Sequence, residues 1–337
     1  MQRLILIKIV YFGTGTVKSI FAKMAQLSQN RRQALQIIGL GAGAALLNTK
    51  ASGMGISKKS NAAFKYSLNM STIRGQQLGF IKEIQTAAAA GFTSVEIWLD
   101  TFQTYLQNGG STGEAKKIID GLGITIENAI GFAQWIVDDE KIRRDALAGL
   151  EKQMDLLAQI SCHRVAAPSA GATTSPKINL DVVAERYNAI LALGDRTGVK
   201  PILEMWGGSN NLKKISDVLY VAAATGHKNV SVLLDSFHIY KGGSSINSLP
   251  LVGKSAIEVF HVNDYPAGIP PEKISEPDRI YPGDGIAPLK EMLHTIKNPE
   301  KPVVISLEVF NKSYYQQDAL QVAKTGLAKM KAITEGI

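Results

Sequence analysis

Residues Lys200 to His238 read KPILEMWGGSNNLKKISDVLYVAAATGHKNVSVLLDSFH, and this stretch decides the fold. Pro201–Trp206 and Ser231–Asp235 are short apolar runs of the β type. Between them, Leu212–Thr225 places apolar residues at helical spacing, and Gly226 follows where glycine commonly ends a helix in the left-handed conformation. Strand, helix and strand in this rhythm imply a parallel βαβ unit. Each apolar run also ends in a carboxylate, Glu204 and Asp235, one unit apart at a spacing of 31 residues.

The same rhythm extends in both directions. Further β-type runs are Phe64–Asn69, Ser94–Trp98, Ile124–Ile130, Arg164–Ala167, Ala256–Val262 and Val303–Phe310. Helical periods fall at Gln76–Ala90, Lys141–Ile160, Leu180–Thr197, Leu289–Ile296 and Gln316–Ile333. Eight such strands alternating with helices predict an α/β fold, a single (β/α)8 TIM barrel over residues 64–337, in preference to an open doubly wound sheet. No G-x-G-x-x-G follows a first strand, and Gly39-Leu40-Gly41-Ala42-Gly43 has no strand before it, which argues against a dinucleotide fold. Pro266–Pro282, with five prolines, is too long for an ordinary strand-to-helix loop and is expected to fold over the barrel mouth.

The 337 residues are 45% hydrophobic and 20% charged, a globular composition, and the lone Cys162 excludes a disulfide framework. Cys162 reads as a small buried hydrophobe, and His163, His227 and His294 as structural or surface residues. The net charge of +8 is a property of the leader. Residues Met1 to Ala51 hold seven Lys/Arg and no acid, which leaves 30 basic against 29 acidic residues in the rest. The barrel therefore offers no net field for nucleic acid. Asn30-Arg31-Arg32-Gln33 precedes an apolar run, Ile37–Leu47, and a small-residue site near Ala51, the order of an export signal. The paired arginines before a weak, glycine-rich apolar region resemble a twin-arginine signal. Eleven apolar residues are too few to span a bilayer, and no Cys follows them to carry a lipid, so no stable membrane anchor is expected. Residues 1–51 are thus expected to be an export signal, with Met24 an alternative start, residues 52–63 a linker, and the protein exported and periplasmic.

Within the barrel the informative positions are polar groups at the C-terminal ends of strands, where barrel active sites are built. Ile202-Leu203-Glu204, Leu233-Leu234-Asp235, Val259-Phe260-His261 and Ser306-Leu307-Glu308 supply four on four consecutive strands. A charged group after a buried run is costly unless paired or bound to a cation. Three carboxylates and one imidazole converging on a point form a mixed O/N site for one divalent ion such as Mn, Mg, Co or Zn. Trp98, Trp135 and Trp206 fall at or just beyond strand ends, where indole faces can bind a sugar ring.

The series L-E-M, L-D-S-F-H, F-H-V-N-D, R-x-Y-P-G-x-G and S-L-E resembles the xylose isomerase-like TIM-barrel superfamily of sugar isomerases and epimerases, which also includes endonuclease IV-type enzymes. The resemblance covers roughly Phe64 to Ile333 and departs from the family in the long segment between His261 and Arg279. It implies metal ligation by Glu204, Asp235, His261 and Glu308. It also implies acid/base roles for Glu204 and Glu308 on opposite faces of the substrate, with His238 and Arg279 as further catalytic groups. A divalent cation on the carbonyl and neighbouring hydroxyl would stabilise the enediolate formed when one Glu removes the adjacent proton.

The expected function is therefore a metal-dependent sugar isomerase or epimerase. A lyase or hydratase acting on 3-keto-glycosides through the same site is the alternative, and a non-catalytic sugar-binding barrel is a second one. A nuclease with a trinuclear zinc site would need more histidines than the five present. An exported chain without a phosphate-binding glycine loop points to an unphosphorylated sugar or glycoside as partner. Homo-oligomerisation is left open by the sequence.

Overall fold

The computed structural model describes residues 63–337. Residues 1–51, where an export signal is expected, and nearly all of the expected linker at 52–63 lie outside the described residues. Eight parallel strands, β1 (Phe64–Asn69), β2 (Ser94–Trp98), β3 (Thr125–Ile130), β4 (Arg164–Ala167), β5 (Lys200–Glu204), β6 (Val232–Asp235), β7 (Ile257–Val262) and β8 (Val303–Leu307), follow one another around a closed barrel. The ring closes where β1 pairs with β8, Leu68 opposite Leu307.

Period-two alternation explains what fills the barrel. Ile202, Leu233, Val259 and Val304 lie two residues before, or share strand parity with, the polar strand ends, and they form a buried cluster with Ile130 and Ala166. The opposite faces of the strands pack against the helices in a larger apolar layer. Aliphatic side chains thus plug the barrel below the mouth while the strand ends above them stay polar.

The helices are α1 (Phe80–Ala90), α2 (Leu99–Gln107), α3 (Thr112–Gly121), α4 (Glu140–Gln159), α5 (Leu180–Thr197), α6 (Ile215–Ala224), α7 (Ser236–Gly242), α8 (Leu289–Ile296) and α9 (Ala319–Thr334). The expected helix over 76–90 is shorter than its sequence pattern. Met70–Gln76 forms a 3-10 turn, and the backbone turns left-handed at Gln77 and Gly79 (φ 53° and 80°) before α1 begins. The helical runs α2 and α3, and the short α7, were not marked by the sequence pattern. Among the described residues, no helix is long and apolar enough to cross a membrane.

Candidate active site and metal centre

Strand register sets the neighbours at the mouth. Asn69 pairs with Glu96, Glu96 with Asn128, and Asp235 with His261, so polar side chains from adjacent strands meet side by side. Asp235, His261 and Glu308 each offer a ligating atom, all within 4.8 Å of one another, and all three residues are buried. His261 Nδ1 is 3.0 Å from Glu308 Oε2 and 3.7 Å from Asp235 Oδ2. Glu204 stands apart from this trio. It lines the adjoining cavity, and its Oε2 is buried with no hydrogen-bond partner among the described residues.

Asp235 is held in place before any ligand arrives. Its Oδ1 caps α7 by accepting from the Phe237 and His238 amides at 2.6 and 3.1 Å, and Asn263 Nδ2 donates to both of its oxygens at 3.2 Å. The polar residues after β7 and β8 also have structural work. Asp264 accepts from the Gly283, Gly285 and Ala287 amides at 2.9, 3.0 and 2.8 Å, which closes the turn after Arg279. Gly285 is required there, since a side chain would collide with Tyr265 O and the Asp264 carboxylate. The R-x-Y-P-G-x-G motif is therefore the anchor that delivers Arg279.

Arg279 is 1% exposed and bridges the site. Its Nη1 donates to Asp235 Oδ2 at 2.8 Å and Glu308 Oε2 at 2.7 Å, and Nη2 pairs with Glu276. Nη2 also lies 3.3 Å from His238 Nε2. A guanidinium only donates, so His238 accepts through Nε2 and carries its proton on Nδ1. Burial, with Arg279 beside it, lowers the His238 pKa and favours this neutral form, although Glu276 and Asp235 oppose the shift.

The electrostatics are those of a site short of positive charge. Glu96, Glu204, Asp235 and Glu308 are each at most 4% exposed, against one guanidinium and one imidazole. Burial pushes Glu204 up to about 8, the negative charges of Glu308 and Asp235 adding to it while His261 opposes. Asp235 goes the other way, because Arg279 and the two histidines outweigh its burial. His261 is burdened by burial too, yet Glu308 and Glu96 together raise it well above the usual imidazole value. Neither of its ring nitrogens has an in-line hydrogen bond among the described residues. Buried carboxylates in excess beside an imidazole without an in-line partner are a donor set that fits a divalent cation. Asp235, His261 and Glu308 are grouped closely enough to hold it, and Glu204 adjoins them in the cavity.

Above this floor lies a cavity of about 350 Å³. Phe310, Trp98, Phe132 and Trp206, in that order, form an aromatic wall with successive ring centroids 5.4 to 6.1 Å apart. Trp98 and Trp206 thus stand where the sequence placed them. Trp135 does not. It is fully buried, donates Nε1–H to Pro168 O at 2.8 Å and packs on Tyr187, which makes it a core residue in place of a substrate contact. Phe132, three residues earlier in the same loop, takes the rim position. The Pro-rich segment does reach the mouth, bringing Glu276 and Arg279 to the cavity. His163, His227 and His294 lie away from it, and burial pushes the Cys162 thiol up to about 12, as befits an inert core residue.

Sequence reasoning missed Glu96, Glu276, Phe132 and Phe310. The first had a visible signal, a carboxylate inside the apolar run Ser94-Val95-Glu96-Ile97-Trp98. Glu276 had none, because its place depends on how the Pro-rich segment folds.

Residues 84–333 match the family described as xylose isomerase-like TIM barrel. This chain belongs to that family. Among curated relatives of this barrel family member, inosose isomerase of Halalkalibacterium halodurans is 31% identical over 132 residues, 38% of this chain and 45% of the relative. A 3-dehydroshikimate dehydratase of Pseudomonas putida is 26% identical over 270 residues, 75% of this chain and 40% of the relative. The chain thus spans less than half the length of either protein. Among solved structures, the IOLI protein, crystallised with a binding zinc atom, superposes with a TM-score of 0.73 at 22% identity, covering 80% of this chain and 98% of that one. The likeness supports the fold.

Proposed function

We propose that this chain is a divalent-metal-dependent isomerase or epimerase that moves a proton on the carbon next to a carbonyl of an uncharged sugar or cyclic polyol. The observation that carries this reading is the pair of buried carboxylates, Glu204 on β5 and Glu308 after β8, facing one cavity from strands three positions apart around the ring. A cation held by Glu204, Asp235, His261 and Glu308 would supply Lewis-acid polarisation of the substrate carbonyl. One glutamate takes the carbon-bound proton, and the other returns a proton to the opposite face. Arg279 and His238 bind substrate oxygens at the floor, and the aromatic wall covers the C–H face and excludes water.

The charge of the lining supports an uncharged substrate. Among the described residues, Arg279 is the one cation lining the cavity, and it is already engaged by Asp235, Glu308 and Glu276. Apart from the proposed ion, a phosphate or carboxylate on the substrate would find no side-chain cation in the lining beyond Arg279. That favours an inosose-like or sugar ketone over an acid such as 3-dehydroshikimate.

A second reading, elimination from a 3-keto-glycoside, draws support from His238. Its ring lines the cavity and its Nδ1–H has no hydrogen-bond partner among the described residues, so the neutral imidazole can hydrogen-bond to a leaving oxygen without giving up its proton. Incubation of the metal-loaded protein with inosose, keto-sugars and 3-keto-glycosides in D2O, followed by NMR, separates the readings. Exchange with rearranged product supports the first, exchange with a released aglycone the second, and binding without exchange a non-catalytic sugar-binding barrel.

We also propose that residues 1–51 export the enzyme to the periplasm, where unphosphorylated substrates prevail. Mass spectrometry of protein from the native cell envelope should find a chain starting near Ser52, and an intact N-terminus there would overturn the export reading.

A further inference from the structure

The site has a second layer that the ligand assignment leaves unused. Glu96 sits in the middle of the mouth end of β2, fully buried, and its carboxylate belongs to none of the proposed ligands. Its Oε2 approaches His261 Nε2 at 2.9 Å, on the far side of the ring from Nδ1, which faces Glu308 and Asp235. Two asparagines from the flanking strands hold it. Asn128 Nδ2 donates to Oε1 at 2.8 Å, and Asn69 Nδ2 donates to Oε2 at 3.2 Å. The same Asn69 Nδ2 reaches Glu308 Oε1 at 3.0 Å, and its Oδ1 accepts from Trp98 Nε1 at 2.9 Å.

A buried carboxylate beside one imidazole nitrogen draws the ring proton to that nitrogen and leaves the lone pair on the other. The approach here lies off the N–H axis, so Glu96 acts chiefly as a fixed charge that selects the tautomer. Glu308 lies equally near Nδ1, at 3.0 Å, so a cation held there would take the place of a proton on Nδ1 while Glu96 keeps the other proton on Nε2. Asn69 adds a link between this layer and a second ligand, since one amide group restrains both Glu96 and Glu308.

We propose that Glu96 is the positioning residue of the metal centre: held by Asn69 and Asn128, it fixes the Nε2–H tautomer of His261 and so presents Nδ1 to the cation. This rests on the metal-site reading above and adds to it a residue that touches neither cation nor substrate.

The test uses the full chain and two probe ions. Wild type and Glu96→Gln are titrated with Co2+ and Zn2+ against a chelating dye, and the Zn2+-loaded proteins are labelled with 15N-histidine for NMR, His261 being assigned through His261→Asn. The expected result is a dissociation constant raised by roughly 10–100-fold in Glu96→Gln. A shifted Co2+ absorption band and loss of the dominant Nε2–H signal of His261 should accompany it. A purely structural role for Glu96 would lower the melting temperature in EDTA and leave the tautomer and the ion affinity of the folded protein unchanged, which would overturn the proposal. Asn128→Ala keeps the carboxylate and removes one of its two holds. It should weaken binding less than Glu96→Gln, and it provides the test if the first variant does not fold. Wild type that binds neither ion would bring down the metal-site reading and this inference together, whereas equal binding by wild type and Glu96→Gln would bring down this inference alone.

Discussion

The two ends of the barrel carry the same residue types with opposite balance. At the N-terminal end, Glu258 accepts from Arg164, Lys200 and Lys301 at 2.7, 3.0 and 3.1 Å, and Glu127 lies between Arg164 and Lys65. Two carboxylates there meet four cations whose side chains are 26 to 47% exposed, so water screens the surplus. At the mouth the surplus is negative, and it is dry. The base can leave its extra charge to solvent. The mouth must balance its own with protons, as on Glu204, or with a cation. That difference separates an end built for stability from one built for chemistry.

The largest effects should follow from removing the mouth carboxylates. Glu204→Gln and Glu308→Gln should each lower turnover by roughly 10²–10⁴-fold, the range for loss of a positioned acid or base. If the reaction is epimerisation, one of the two variants should still exchange the substrate proton with D2O, because abstraction needs a single base. If it is elimination, loss of one glutamate should act through ion affinity and recover with excess metal. Full activity of either variant at low metal would break the contrast between the ends and favour the binding-barrel reading.

The next effect is thermodynamic. A divalent ion at about 100 times its dissociation constant should stabilise the fold by roughly 2.7 kcal/mol if it binds the native state alone. Calorimetry with and without EDTA should show that gain in wild type and in a base-end variant such as Glu258→Gln. A variant lacking a mouth ligand, such as Asp235→Asn, should show much less.

The base end predicts a pH dependence of its own. Burial works against the Glu258 carboxylate, but Arg164 and Lys200 outweigh it and hold the group down to about 2. A depressed carboxyl contributes stability that is present above its ordinary pKa near 4.5 and is lost as pH falls towards 2. The contribution is on the order of 2 kcal/mol after allowance for water at this rim. Urea midpoints of wild type and Glu258→Gln should therefore differ most at pH 5 to 7 and converge as pH falls below about 4. A gap that stays constant with pH would show that the network adds packing and no charge stabilisation.

How much of this was legible in the sequence follows the same division. Period-two strands and helical periods set the barrel, because each is a local pattern with one buried face, and β1, β2 and β4 have the bounds read from sequence. Asp235, His261 and Glu308 were legible because a charged residue ending an apolar run has few structural excuses. Glu96 was equally open to that logic but lies inside its run, two residues before the end of β2 at Trp98. Trp135 and Phe132 could not be told apart from sequence. Both follow β3, and which ring turns inward depends on Pro168 O and Tyr187, contributed by other elements. Glu276 required the tertiary path of the Pro-rich segment, which Tyr240 and Lys241 on α7 fix by donating to Ile269 O and Ile274 O at 2.8 and 2.5 Å.

The smallest effect, and the one that sharpens the comparison within the mouth itself, concerns the two tryptophans. Trp206 is half-buried and meets Phe132 in a tilted arrangement at 6.0 Å in the cavity wall, whereas Trp135 is closed in the core. Trp206→Phe keeps an aromatic face at the wall, removes the larger ring, and leaves little cavity in the protein. It should raise KM several-fold, a loss of about 1 kcal/mol or less in substrate contact, with kcat nearly unchanged. Its melting temperature should stay close to wild type. Trp135→Phe should do the reverse, since it strands Pro168 O and opens space against Tyr187. A stability loss of roughly 1–3 kcal/mol follows from an unsatisfied buried carbonyl, with KM unaffected. Denaturant melts and steady-state kinetics on the pair decide it: an unchanged KM in Trp206→Phe would remove the aromatic wall from substrate binding, and a raised KM in Trp135→Phe would show that the core ring supports it.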